Sequence, residues 1–389
     1  MKILHLCLAN FYIDGYAYQE NILPRYHANA GMDVVIVASL VSIDREGSPC
    51  LLERANEYVN EDGISVVRLD YKPGILNKIT RRYIGLKSVL ERESPDILFI
   101  HGCQFADMDV VIKYLNQSSK KIDVYVDNHA DFVNSARNWL SKYILHGIIY
   151  RHFAQRILPH AKKFYGVLPV RCDFLTDVYG IPKEKIELLV MGIDDKAFEF
   201  AKTEHPREKT RHELDMDSND FVLMTGGKID PKKNIDLLLK AFQEIDDPGM
   251  KFIVFGTPTP DVKPVFERLI AHDRIKYIGW LKGNEIYKYL IASDLAVFPG
   301  THSVLWEQTV GSGLPAVFKH WDGMQHVDVG GNCLFLKPVT VETIQEAILR
   351  IRTDQQLFET MKNVAQEKGL KEFSYREIAA RSIKDSFTV

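Results

Sequence analysis

Cysteine is scarce in this chain, and nothing pairs what there is. The five residues Cys7, Cys50, Cys103, Cys172 and Cys333 are an odd number, scattered, with no C-x-x-C. That excludes a disulfide framework and a thiolate zinc site, and it suits a reducing compartment. Long apolar runs are missing as well: no stretch reaches about 18 uncharged apolar residues, the length of a membrane-spanning helix. The opening run "MKILHLCLANFY" carries one lysine and no cleavage-type sequence follows it, so a cytosolic protein is expected. A basic excess is absent too. With 49 Lys+Arg against 52 Asp+Glu and a net charge of −3, a dedicated nucleic-acid binder is excluded and any cationic surface must be local. Finally, no strand end carries G-x-G-x-x-G, and neither a Walker A sequence nor a kinase motif set occurs. Dinucleotide-dependent dehydrogenases, P-loop enzymes and kinases are thereby set aside.

What is present is layered α/β structure. At 389 residues two domains are the natural expectation. Short Val/Ile/Leu/Phe runs alternate with helical patterns, and the runs are continuous rather than alternating, as in parallel strands covered on both faces. In the first half the strands are expected at 2–9, 33–39, 65–70, 96–102, 121–127 and 163–169, with helices such as 19–31 and 108–119 between them. A second series follows at 221–227, 251–256, 275–280, 295–300 and 314–319. The polar connection 180–209 separates the two series and reads as the hinge. The fold class is α/β: two doubly wound, Rossmann-like domains facing across a cleft. In such sheets ligands sit beyond the carboxyl ends of the strands.

One of those strand ends is "TGGKIDPKKNIDLLLKAF", Thr225 to Phe242. Gly226 and Gly227 read as a turn that lets backbone N–H groups approach phosphate, with the following helix offering its positive N-terminus. Lys228 and Lys233 would add mobile cations on the same side; lysines that merely solvate a loop are the alternative.

At this point the chain resembles the retaining GT-B glycosyltransferases of family 4, the glycosyl transferases group 1, over almost its whole length. The resemblance rests on "MKILHL", "YGIPKEKIELLVMGID", "GGKIDPKKNIDLLLKAF", "SGLPAV" and "FSYREIAARSI". It implies an acceptor-binding domain over 1–195, joined by a returning C-terminal helix over 373–389, and a donor-binding domain over 196–372. The family's donor loop usually reads G-R-x-x-x-x-K-G; here Gly227, Lys228, Lys233 and Asn234 stand in those places. Lys228 and Lys233 are then expected to stabilise a leaving diphosphate by electrostatics alone. No cofactor and no metal are implied beyond the nucleotide-diphosphate sugar itself, UDP-linked in preference to GDP-linked. "DMD" (107–109) reads as a helix N-terminus, not as the Asp-x-Asp metal signature of the other transferase fold.

The resemblance also assigns "PGTHSVLWEQTVGSGLP" (299–315). The family places two glutamates seven residues apart ahead of a G-x-P step. Aligned on Gly313-Leu314-Pro315, Gln308 stands at the second acid, which meets ribose hydroxyls, with Glu307 beside it. Gly300 stands where the first acid would be, next to His302 and Ser303. Ser303, Val304 and Leu305 match the helix start that faces the donor, although Val304, Leu305 and Val310 also read as a packed apolar face. Trp280 falls near the nucleobase. In "VDNHADFVNSARN" (126–138), His129 matches a histidine near the reacting sugar and is expected to be catalytic, with Lys228 and Lys233. Asp127, Asn128, Asp131 and Asn134 are candidates for sugar hydroxyls, one of the acids alternatively capping the next helix. Gly15 matches a glycine of the acceptor loop, and Tyr16 and Tyr18 offer stacking platforms or ordinary surface packing. The function expected is transfer of a hexose to a sugar or lipid-linked glycan acceptor. Other expectations for the same fold are a non-catalytic sugar-nucleotide or glycan binding subunit, an epimerase or a phosphorylase. Residues 74–93, with Ile75, Ile79, Tyr83, Leu86 and Leu90 along one face and Lys78, Arg81, Arg82 and Lys87 elsewhere, read either as a core-facing helix or as a peripheral contact with the inner membrane face. The basic stretch 140–156 would add to that contact if it shared the face.

Overall fold

A computed structural model describes residues 1–43, 49–132, 135 and 138–387. They fall into two compact units, Met1–Val190 with Ile378–Val389, and Met191–Glu377. Strands of the first unit are β1 (Lys2–Cys7), β2 (Asp33–Ser39), β3 (Val41–Ile43), β4 (Pro49–Leu51), β5 (Glu57–Val59), β6 (Ser65–Leu69), β7 (Ile97–His101), β8 (Asp123–Asn128), β9 (Ala161–Gly166) and β10 (Ile186–Leu188). Eight of them make one sheet in the order β10-β9-β8-β7-β1-β2-β6-β5. Every pairing is parallel except the edge pair β5–β6, and β3–β4 form a separate antiparallel ribbon.

The second unit carries β11 (Phe221–Ile229), β12 (Met250–Pro258), β13 (Ile275–Gly279), β14 (Leu295–Phe298), β15 (Ala316–Lys319) and β16 (Cys333–Leu336). Its sheet is parallel throughout, in the order β13-β12-β11-β14-β15-β16. Each unit encloses its own apolar core, one built around Leu4, Val37, Leu98 and Val126, the other around Leu223, Leu239, Phe252 and Val297. Burying such strands on both faces is the main favourable term, each fully buried Leu, Val or Phe contributing about 1.5–3 kcal/mol.

Strand order positions the chemistry. In the first sheet the chain grows from β1 toward β2 on one side and toward β7 on the other, so the loops after β1, β7 and β8 open around a switch point. In the second sheet the same reversal falls between β11 and β14. Ligand crevices form at such points because the loops there diverge.

Two local expectations need correction, and a third is met in position. β11 does not turn at Gly226-Gly227; it continues to Ile229, paired with β12 as far as Pro258. Glycine is required there for close packing, since a Cβ on Gly226 would lie 2.4 Å from the Phe255 ring. The turn comes later, at Pro231–Lys233. Residues 74–93 are not one helix: Ile75–Ile79 stops, and Leu86–Glu93 begins afresh after Gly85. Arg81 breaks the run by reaching back to the carbonyls of Ala9 (2.6 Å) and Gln104 (3.2 Å). Tyr83, Leu86 and Leu90 are core, whereas Ile75, Leu76 and Ile79 are exposed. Asp107 precedes the helix Met108–Gln117 as expected, but its carboxylate accepts from the Tyr83 N–H at 2.6 Å rather than capping that helix.

Candidate functional site

In the second unit the loops after β11 and β14 are stitched together. Thr301 N–H donates to Lys232 O at 3.0 Å, and the Asn234 amide donates to Pro299 O at 2.9 Å. Lys233 donates its ammonium to Thr301 O at 2.6 Å and His302 O at 3.3 Å. These contacts bring Thr225, Gly226, Lys233, Gly300, Thr301 and Ser303 around one small recess. The Thr225 hydroxyl is buried there without a hydrogen-bond partner. Among the described residues no carboxylate lies within 4.0 Å of the Lys233 ammonium. Burial lowers its pKa, opposed only by the charge of Asp230. Gly300 closes the back of the recess: a Cβ there would lie 2.2 Å from Lys233 Cα, which accounts for a glycine where the resemblance calls for an acid. Lys228 is exposed on the last turn of β11 and is not part of the recess lining, although Asp261 feels its charge.

Beyond Ser303 and Val304 the chain enters the short helix Leu305–Gly311. Trp306 is fully buried and stacks on Phe318 at 4.5 Å, and Val310 is buried with it. Glu307 turns inward. One of its carboxylate oxygens receives both His302 Nε2 (2.8 Å) and His326 Nε2 (2.7 Å). Burial opposes its ionisation, but the charges and hydrogen bonds of His302 and His326 bring its pKa down to about 2. Glu307 is fully buried and so engaged, whereas its neighbour Gln308 is half-buried against Tyr287. His326 is a partner that the sequence reading missed; it lies outside the motif and carries no local signal. His302, Glu307 and His326 are also a group with the donors for a metal ion. Their contact distances are those of hydrogen bonds, however, whereas ligand atoms around zinc at about 2.0–2.1 Å stand roughly 3.3 Å apart. Trp280, after β13, is 65% exposed.

The first unit gathers its candidates at its own switch point. Gly15 has φ +75° and faces open space, and the Tyr16 and Tyr18 rings stand 5.3 Å apart beside it. At the end of β8, Asp127 is buried and accepts from His101 Nδ1 at 2.7 Å. His129 Nε2 lies 3.5 Å from the same Asp127 oxygen and 3.7 Å from Glu20. Burial disfavours the charged imidazole, but Asp127 and then Glu20 outweigh it and raise the His129 pKa. Asn128 is buried and engaged by its own loop, donating to Ala130 O (2.9 Å) and Arg171 O (3.2 Å) and accepting from Ala130 N–H. Asp131 pairs with Arg171 at 3.2 Å. Asn134 lies outside the described residues.

A chain of two parallel-sheet Rossmann-like units, with a cationic recess at the switch point of the second, is of the GT-B class. Within the second unit, residues 220–354 match the family of glycosyl transferases group 1. It is similar to the mannosylfructose-phosphate synthase of Agrobacterium fabrum, 21% identical over 227 residues, 54% of this chain and 49% of that protein. The chain thus spans about half the length of that curated relative, and 35% of another, a D-inositol 3-phosphate glycosyltransferase of Streptosporangium roseum that is 27% identical over 37% of this chain. Among solved structures, the Anabaena protein HepE in complex with UDP superposes with a TM-score of 0.68 at 15% identity, covering 99% of both chains.

The Glu307 triad gives a test with a defined sign. Its folded-state pKa is depressed, so its stabilisation is full above the unfolded carboxyl value and is lost as pH falls toward 2. Glu307→Gln is expected to lower unfolding stability at pH 7 by about 3 kcal/mol, the cost of breaking a buried pair. Urea unfolding of both proteins should show that difference shrinking as pH falls from about 4.5 toward 2. A pH-independent difference would remove the ion pair from the account.

Proposed function

We propose that the protein is a retaining glycosyltransferase. It moves a hexose from a nucleotide-diphosphate sugar, UDP-linked in preference to GDP-linked, to a sugar or lipid-linked glycan acceptor in polysaccharide or glycan assembly. The observation that carries this reading is the Lys233 ammonium, held by two carbonyl oxygens beside a recess and lacking a carboxylate partner among the described residues. A cation partly withdrawn from water without a counter-ion carries a cost, and a diphosphate would supply the missing charge. Lys228, on the same strand, would add a mobile second cation as the leaving diphosphate gains charge. Backbone at Gly226, Gly227, Ser303, Val304 and Leu305, with the side chain of His302, would surround the phosphates, Gln308 would meet the ribose and Trp280 the base. His129, beside Asp127, would serve the sugar subsite, with the Gly15 loop and Tyr16 and Tyr18 on the acceptor side. Transfer proceeds without a metal, the lysines taking the charge that an ion would otherwise bear. Retention follows when the leaving phosphate oxygen takes the proton of the incoming hydroxyl on the same face.

One observation favours a second reading, that of a non-catalytic sugar-nucleotide-binding subunit: the first family acid is replaced by Gly300, and no side chain fits there. Release of UDP from UDP-sugar only when an acceptor is added separates the two. Calorimetric titration with UDP and GDP, followed by their sugars, sets the donor class. Lys233→Ala is expected to weaken UDP binding roughly 10–100-fold, the worth of a hydrogen bond to a charged group, with an unaltered circular dichroism spectrum. Wild-type affinity in that variant overturns the reading.

The first unit is also proposed to rest on an anionic lipid surface. Ile75 (76% exposed), Leu76 (73%) and Trp139 (68%) present apolar side chains to solvent, with Lys78 and Lys142 close in sequence. Exposed apolar side chains with lysines near them in sequence suit an interfacial contact. Cosedimentation with phosphatidylserine vesicles, weaker with phosphatidylcholine and lost in Ile75→Ser/Leu76→Ser, is the expected outcome. Equal recovery of wild type and variant counts against it.

A further inference from the structure

Behind Asp127 lies a column of buried imidazoles that the reading above leaves unused. His101 ends β7, His5 lies on β1 and His27 on the helix Gln19–Asn29, all of them buried. His101 Nδ1 meets Asp127 at 2.7 Å, and His101 Nε2 meets His5 Nδ1 at 3.0 Å. His5 Nε2 meets His27 Nδ1, also at 3.0 Å. At the far end His27 Nε2 lies 3.0 Å from Ser382 Oγ and 3.1 Å from Ala379 O. The Ser382 hydroxyl is itself 2.8 Å from Ala379 O, so its proton has two acceptors to choose from.

Counting protons fixes the choice. Each neutral imidazole carries one N–H, and the three links from His27 to Asp127 need one proton each. With Asp127 ionised, all three are served only when every ring is protonated on Nδ1, each donating toward Asp127. His27 Nε2 is then a bare acceptor, and the Ser382 hydroxyl must donate to it. In the opposite arrangement His27 Nε2–H donates to Ala379 O and each linking proton lies one nitrogen further along. The His101–Asp127 link is then left with two acceptors and is satisfied only by one added proton, shared by that pair. The two arrangements therefore differ by one proton, and the added one cancels the negative charge beside His129.

We propose that Ser382, acting through His27, His5 and His101, is a positioning residue that keeps Asp127 ionised beside His129. Burial already depresses the basicity of His5, and that of His27 to about 4, so an added proton is disfavoured while the hydroxyl is present. The other titratable groups facing Asp127 and His129 are Glu20, Arg171 and the thiols of Cys7 and Cys103. None of these touches the far end of the column, where Ser382 acts.

The test is imidazole 15N–1H correlation spectroscopy on the full-length protein, which needs no substrate. At neutral pH the wild-type His5, His27 and His101 rings should all be Nδ1–H, the minor form of free histidine in water. Ser382→Ala should convert His27 to Nε2–H, raise the pH at which the His101–Asp127 pair gains a proton, and lower the His129 midpoint by about one pH unit. Ser382→Thr, which keeps a hydroxyl, should restore the wild-type pattern. Nε2–H on any of the three rings in the wild type overturns the proposal, as do unchanged tautomers and an unchanged His129 midpoint in Ser382→Ala. Its bearing on transfer rests on the function proposed above: with a turnover assay, the limb of the kcat profile that follows His129 ionisation should move with the His129 midpoint. Loss of that activity reading leaves the tautomer result standing.

Discussion

A positive charge partly withdrawn from water, with no carboxylate beside it among the described residues, is the constraint around which the second unit is arranged. Lys233 is presented by a short turn after β11, and its ammonium is held by carbonyl oxygens of the loop after β14. Those two loops meet because β11 and β14 are neighbours although three helices and two strands intervene in the chain. Strand order makes the recess; the stitching between Lys232, Asn234, Pro299 and Thr301 keeps it in register. Carbonyl dipoles offset part of the desolvation of the ammonium but leave its charge unneutralised. The loop geometry is thus held by the chain's own hydrogen bonds.

The architecture was largely legible in the sequence because parallel strands buried on both faces leave continuous apolar runs, as at 33–39, where the expected and observed strands coincide. The short strands β3, β4, β5, β10 and β16 were not foreseen: pieces of three or four residues give no periodicity to read. The break in residues 74–93 was hidden for a different reason. Helical spacing of Ile75, Ile79, Tyr83, Leu86 and Leu90 is genuine, but Arg81 leaves the helix to satisfy carbonyls of two other loops, a tertiary demand absent from the local pattern.

The candidate site was readable to a similar depth. Lys233 could be named because it follows a Gly-containing strand end and the 299–308 stretch because of the family resemblance, and the structure brings Gly226, Lys233 and Ser303 to one recess. Which way each side chain turns was not readable. Glu307 and Gln308 are neighbours in sequence, yet successive helix positions differ by about 100°, so one enters the interior and the other does not. His326 and the column His5–His27–His101 escaped notice because each histidine comes from a separate element, and only the sheet order makes them adjacent.

Gly300 ties the path of one loop to the side chain another can carry. Its Cα lies so close to the main chain at Lys233 that even a methyl group is excluded. A carboxylate at that place would need a differently routed β11–helix connection, so the side chain at 300 and the path of the lysine loop are one constraint rather than two. A protein engineer wishing to reinstate the carboxylate would have to rebuild residues 230–234 together with it.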